Sequence, residues 1–158
     1  MTITPAICNS FKEEILKGVH DFTASTGNTF NIALYSSDNA ALSKSTTVWA
    51  AATNPALDPT DTYEVTTTAS GYASGGKALT SVTPTLSADT ACCDFANISW
   101  TSASFTARGC LIYNTNATPD NEQAVCAINF GADKTVTTGT FTIEFPAQTA
   151  GNAIIQIA

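Results

Sequence analysis

Apolar positions recur at helical spacing once along this chain and at strand spacing many times. Ile7, Phe11, Ile15, Val19 and Phe22 return every three or four residues, with Cys8 and Leu16 beside them. That spacing predicts one amphipathic helix within residues 1–22. Thr4-Pro5 would serve as its cap and first position, or Ser10 to Glu13 as a capping box one turn later. Lys17-Gly18 suits its C-terminal end.

Beyond Gly27-Asn28 the period falls to two. Phe30, Ile32 and Leu34 alternate with Asn31 and Ala33, which predicts a strand. Residues 36–62 carry loop markers, Asn54-Pro55 and Asp58-Pro59 among them, with a helical turn or edge strand at 46–52 around Trp49. Gly71 to Gly76 reads as a glycine-dependent corner. Strands are predicted near 77–83, 90–95, 98–101, 104–114, 122–130, 135–145 and 152–157. The clearest is Thr140 to Phe145, with Phe141, Ile143 and Phe145 on one face and Pro146 as its stop. Short strands with frequent turn signals favour an all-β, mostly antiparallel sandwich or jelly-roll-like domain. The expected organisation is one domain over 1–158, with a helical segment at 1–22 and the β-sandwich over 30–158.

Composition narrows the function. The chain has 158 residues, enough for a sizeable core. Charged residues make up 12%, about half the usual share, with Ser, Thr, Asn and Ala in their place. Such a surface suits a protein largely covered by neighbours, or one that faces harsh solvent as a rigid β-shell. Thirteen acidic residues against six basic ones give a net charge of −7. The bases are scattered, so neither nucleic acid nor an anionic membrane is an expected partner. The N-terminal stretch has no charged region followed by an apolar run, and no segment approaches a membrane span. A chain that folds in the cytosol, with reduced thiols, is therefore expected.

Candidate chemistry is sparse. His20 is the only histidine, followed by Asp21. Ser74, in Gly71-Tyr-Ala-Ser-Gly75, lies one place off a nucleophile elbow. A helix-end histidine favoured by the macrodipole is the simpler explanation. Cys92 and Cys93 are adjacent and would point to opposite faces of a strand, so Cys92, Cys93, Cys110 and Cys126 make a poor zinc set. With Cys8 they read as small buried hydrophobes. Asp58 and Asp61, and Asp120 with Glu122, offer hard oxygens for calcium without EF-hand spacing. These acids, or Glu144 with a partner, could form a glycosidase pair, though solvated loop acids explain them as well. Trp49, Tyr63 and Tyr72 could stack on sugars if exposed. Gly75-Gly76-Lys77 lacks the P-loop pattern, since Ala78 follows. The expectation is a protein that is not an enzyme and uses no cofactor or metal.

Several blocks, taken in order, resemble a family of small structural proteins of tailed bacteriophages. They are Ser10 to Phe22, Ile32 to Tyr35, Gly71 to Gly76, Phe95 to Ser104, Thr106 to Gly109, Ile112 to Asn114, Asn129 to Lys134 and Phe141 to Pro146. The resemblance covers most of the chain, with a longer insert around 46–61, and brings no catalytic residues. It implies a virion protein. The first expectation is a capsid decoration (cement) protein, a homo-oligomer with a trimer favoured, bound to the outer face of the major capsid protein. The interface residues expected are Phe11, Ile15, Trp49 and Tyr72. On that view, residues 1–9 would serve shell binding rather than the stability of the domain. The alternatives are a tail, neck or fibre-associated module that binds a host glycan or protein, and a wall-degrading hydrolase.

Overall fold

The computed structural model describes residues 3–36, 42–49, 63–65, 69–116 and 122–158. Among these, one helix accompanies eight strands. They are β1 (Ala6–Ile7), α1 (Asn9–Leu16), β2 (Phe30–Tyr35), β3 (Lys77–Ala78), β4 (Ser81–Ser87), β5 (Thr90–Phe95), β6 (Ile98–Asn114), β7 (Gln123–Ile143) and β8 (Ile155–Ile157). The strands form two antiparallel sheets, ordered β1-β7-β6-β2-β3 and β4-β5-β8. The expected all-β class with one N-terminal amphipathic helix is therefore what the chain adopts. The two sheets meet across aromatic rings. Phe95 of β5 lies 5.7 Å from Phe30 of β2, and Phe22 stacks on Phe30 at 4.2 Å with the planes 7° apart.

The helix is shorter than its apolar periodicity suggests, for reasons at both ends. Gly18 adopts φ +70°. The Val19 N–H donates to Glu14 O and the Gly18 N–H to Ile15 O, the paired bonds of a Schellman stop. Val19 and Phe22 thus lie beyond the helix. At the other end, Ala6 and Ile7 pair with Ala127 and Cys126 of β7, and the Cys8 N–H donates to Val125 O. Sheet pairing claims residues that a helix would otherwise use. Cys8 is the N-cap, with no side-chain cap bond, so neither Thr4-Pro5 nor Ser10 starts the helix. Ile3 and Cys8 are fully buried. Ile3 and Cys8 thus anchor the segment before the helix in the core, while Thr4 and Pro5 are exposed.

Two predicted pairs of strands are each one long strand. Segments 98–101 and 104–114 join as β6; 122–130 and 135–145 join as β7, which ends at Ile143. The ladder runs on through register shifts: Ser102 (φ 51°) and Thr138 (φ 49°) each accommodate one extra residue, and β7 carries three extra residues around Gly131 (φ 77°), between Asn129 and Lys134. The predicted strand 77–83 is instead split. Lys77–Ala78 pairs with β2 in the first sheet, and Ser81 onward joins the second. The last strand, β8, pairs with β5.

Candidate functional site

Phe11 and Ile15 are one helical turn apart, so both point from α1 toward the sheets. After the Schellman stop the chain doubles back and sets His20 and Phe22 beside them. Phe22 meets Phe11 edge-on at 6.0 Å. Across from this wall stands the second sheet, with Cys93 and Ile155 paired on one row and Ala91 and Ile157 on the next. Between them runs an apolar groove of about 280 Å³, lined by Phe11, Ile15, His20, Phe22, Ala91, Cys93, Ile155 and Ile157, with Pro84 and Asp21 at its margin.

The groove continues onto an exposed apolar row. Leu86 pairs with Ala91, and Ala91 with Ile157. Residues directly opposite in an antiparallel sheet share a face, so these three form a ridge across β4, β5 and β8. Leu86 is 76% exposed and Ile157 57%. Two of the four exposed large apolar side chains among the described residues share this row; Leu16, the most exposed, stands apart on α1. Ala91 and Ile157 fall in strands expected from sequence, but the strand expected near 77–83 ends short of Leu86. The signal was present in Val82, Pro84 and Leu86, which alternate through an otherwise polar stretch.

His20 forms part of the groove wall but has no free ring nitrogen. Asn114 Nδ2 donates to His20 Nδ1 (2.9 Å), so the ring hydrogen sits on Nε2, which donates to Glu14 Oε2 (2.7 Å). Burial pushes the imidazole below its usual range, against the opposing pull of Glu14. Asp21, its neighbour in sequence, accepts the Thr23 N–H instead. Ser74 turns toward Glu64 Oε2 (3.5 Å). The Ser–His–Asp set considered from sequence is not assembled.

A second polar cluster holds the Gly71–Gly76 corner. Tyr72 Oη donates to Glu64 Oε1 (2.8 Å) and accepts the Leu34 N–H, and the Gly75 N–H also donates to Glu64 Oε1 (2.7 Å). Burial raises the Glu64 carboxyl, and hydrogen bonds from Tyr72, Gly75, Ser74 and Trp49 partly offset the rise. Trp49 stacks on Tyr113 at 5.4 Å, with planes 11° apart, and Tyr113 Oη donates to Gly75 O.

The four interface residues expected from sequence therefore separate. Phe11 is 3% exposed and Tyr72 7%. Both are committed to the core, because an aromatic ring in a loop or on a short helix gains most by filling the space beneath it. Trp49 is half-buried against Tyr113. Ile15, half-buried, lies in the groove wall beside Phe11. Phe11 and Ile15 help shape the groove, while its exposed ridge belongs to Leu86 and Ile157. The acids Asp58, Asp61 and Asp120 lie outside the described residues. Among the described residues, no three His, Cys, Asp or Glu side chains gather in a metal-holding group, and no helix is long and apolar enough to cross a membrane. All five cysteines are buried free thiols. Burial pushes Cys8 and Cys93 up to about 12 and raises Cys110 and Cys126 as well.

Comparison with known proteins yields no family model, no curated protein and no solved structure that matches this chain.

Proposed function

We propose that this chain is a structural, interface-forming protein of a bacteriophage particle, a capsid decoration protein seated on the outer face of the major capsid protein. The observation that supports this most is the Leu86–Ala91–Ile157 ridge beside an apolar groove, on a protein with few surface charges. Single exposed apolar residues are ordinary, but a contiguous row beside a groove marks a surface that a partner covers. The block-by-block resemblance to phage structural proteins supplies the setting. The function would be additive. Each copy buries area that exists only in the assembled shell, so occupancy stabilises the shell by mass action. A net charge of −7 suits the outside of a shell better than a surface facing packaged DNA.

A glycan-binding tail or fibre module is less well supported. It needs exposed aromatic faces, whereas Trp49 has one face on Tyr113 and Tyr72 is buried. A hydrolase built on His20 would need a ring nitrogen free to take a proton from a nucleophile, and both are engaged.

The deciding measurement is the copy number of this chain in purified particles relative to the major capsid protein. Decoration requires hundreds of copies, on the order of the capsid protein itself. A handful per particle would place the chain at the portal, tail or spikes and overturn the proposal.

A further inference from the structure

We propose that Glu14, His20 and Asn114 form an acid-sensitive latch that holds helix α1 and the loop behind it against the sheets, and that a proton taken up at His20 Nδ1 opens it. The inference rests on the hydrogen bonds and packing around His20 and does not depend on the virion setting.

The latch joins four parts of the chain. Glu14 comes from α1, His20 from the loop after it, Asn114 from the end of β6, and Gln123 from the start of β7. Gln123 donates its amide to both Glu14 oxygens (3.2 and 3.3 Å) when its nitrogen faces the carboxylate. The imidazole is enclosed, with no side-chain surface open to solvent, and packs among Phe11 (4.9 Å), Phe22 and Phe30 (6.4 Å each).

Its protonation state is dictated by hydrogen bonding. Nδ1 accepts from Asn114 Nδ2, so a proton added there would set one donor against another. Asn114 cannot turn its amide to compensate. Its Oδ1 accepts the Asn116 N–H (2.9 Å) and its Nδ2 also donates to Asn28 Oδ1 (3.0 Å). A reversed amide would oppose donor to donor at Asn116 and acceptor to acceptor at Asn28. Asn28 Oδ1 is held in turn by the Asp21 N–H (2.8 Å).

The charged and titratable groups near the ring are few. Glu14 faces it from α1 and favours the imidazolium. Asp21, on the same loop, directs its carboxylate to the Thr23 N–H. Cys93 faces the groove from β5 with its thiol pushed up to about 12, hence uncharged. Asn114 and Gln123 are uncharged, and β2 presents Phe30. Enclosure among three phenyl rings outweighs the one carboxylate and pushes the imidazole below its usual range. The imidazolium therefore finds its lowest free energy in water, and the groove that His20 lines offers it a way there. As the ring leaves, α1 loses its link to β6 and Phe22 loses a neighbour, so the groove widens.

The test uses the full chain, because one histidine gives one imidazole signal. Nitrogen and carbon NMR of that ring should show the neutral Nε2–H tautomer above about pH 6.5, with no midpoint at the free-histidine value. Below it, hydrogen exchange of amides in α1 and residues 19–29 should speed up about tenfold per pH unit beyond the intrinsic pH dependence, while amides of β2 and central β6 stay protected. Asn114→Asp provides an acceptor for Nδ1–H, at the cost of setting that oxygen against Asn28 Oδ1. It should raise the imidazole midpoint by about a unit or more and keep α1 protected to lower pH. An imidazole that titrates near 6.5 with α1 protection unchanged overturns the latch, as does loss of α1 and sheet protection at one common midpoint. If Asn114→Asp does not fold, the exchange pattern of the unaltered chain decides between these results.

Discussion

Gly76 is the position where the fold tolerates a side chain least, and the consequence can be measured against an internal control. The residue sits at φ +75°, immediately before Lys77 and Ala78 pair with Ile32 and Asn31. A Cβ there would overlap the Ile32 carbonyl oxygen and stand 2.6 Å from Ile32 C and 2.8 Å from Ala33 Cα. These are backbone atoms of β2, which is paired on both sides, and cannot swing aside. Gly18 has nearly the same φ, +70°, but nothing within 4 Å of its Cβ position. Gly18→Ala therefore carries only the left-handed penalty, about 1–2 kcal/mol. The stiffer unfolded chain returns about 0.4–1 kcal/mol, so the net loss is about 1 kcal/mol. Gly76→Ala adds the cost of overpacking, about 1–3 kcal/mol, for a net loss of about 3 kcal/mol. Urea unfolding of the two variants should show that difference as a lower midpoint at unchanged slope. In thermal melts the losses should correspond to about 6–12 °C for Gly76→Ala and about 2–4 °C for Gly18→Ala. Losses equal to within about 0.5 kcal/mol would mean that β3 moves away from β2 without cost, and the close approach at Ile32 would not be a determinant of the fold.

Further outcomes follow from the same contacts. Phe30→Ala removes a fully buried ring that stacks on Phe22 and abuts Phe95 and His20, and should cost about 3–5 kcal/mol in a urea melt. Leu86→Ser changes a side chain that is mostly exposed, so the stability of the isolated chain should move by no more than about 0.5 kcal/mol. Its binding to particles should fall in a co-sedimentation assay, and unchanged binding would remove the ridge from the interface. All five cysteines are buried, so a thiol reagent at pH 8 should label the native chain only as fast as it opens, and label five sites per chain at once in denaturant. Rapid labelling of even one thiol in the native state would contradict the packing described.

The helix, the class of fold and strand β2 were legible in the chain because each rests on local periodicity. Phe11 and Ile15 show the helical spacing that puts them on one face, and Phe30, Ile32 and Leu34 the alternation that builds β2. Gly18 also marked the helix stop correctly, since the left-handed conformation is a property of the residue itself. What periodicity cannot express is competition among distant segments. Ala6 and Ile7 fit a helix pattern, but β7 offered them a ladder more than a hundred residues away in sequence. Gly131 reads as a turn, but a bulge uses the same positive φ without ending the strand. Which of the two occurs depends on whether a partner strand continues alongside, and β6 does.

The candidate surface divides in the same way. The chain by itself determined that apolar residues outnumber the positions needed for a few loops, that charge is scarce, and that one histidine is present. The tertiary structure alone decided which apolar residues remain outside. Phe11 and Tyr72 were absorbed into the core because the space under a helix and a corner must be filled. Leu86 and Ile157 were left on the surface because β4 and β8 are the outer strands of a three-stranded sheet, among the described residues, with no further layer above their row. Likewise, only the fold brought Asn114 to His20 across ninety-four residues of chain, where a hydrogen bond fixes the tautomer of a ring whose sequence neighbours gave no hint of it.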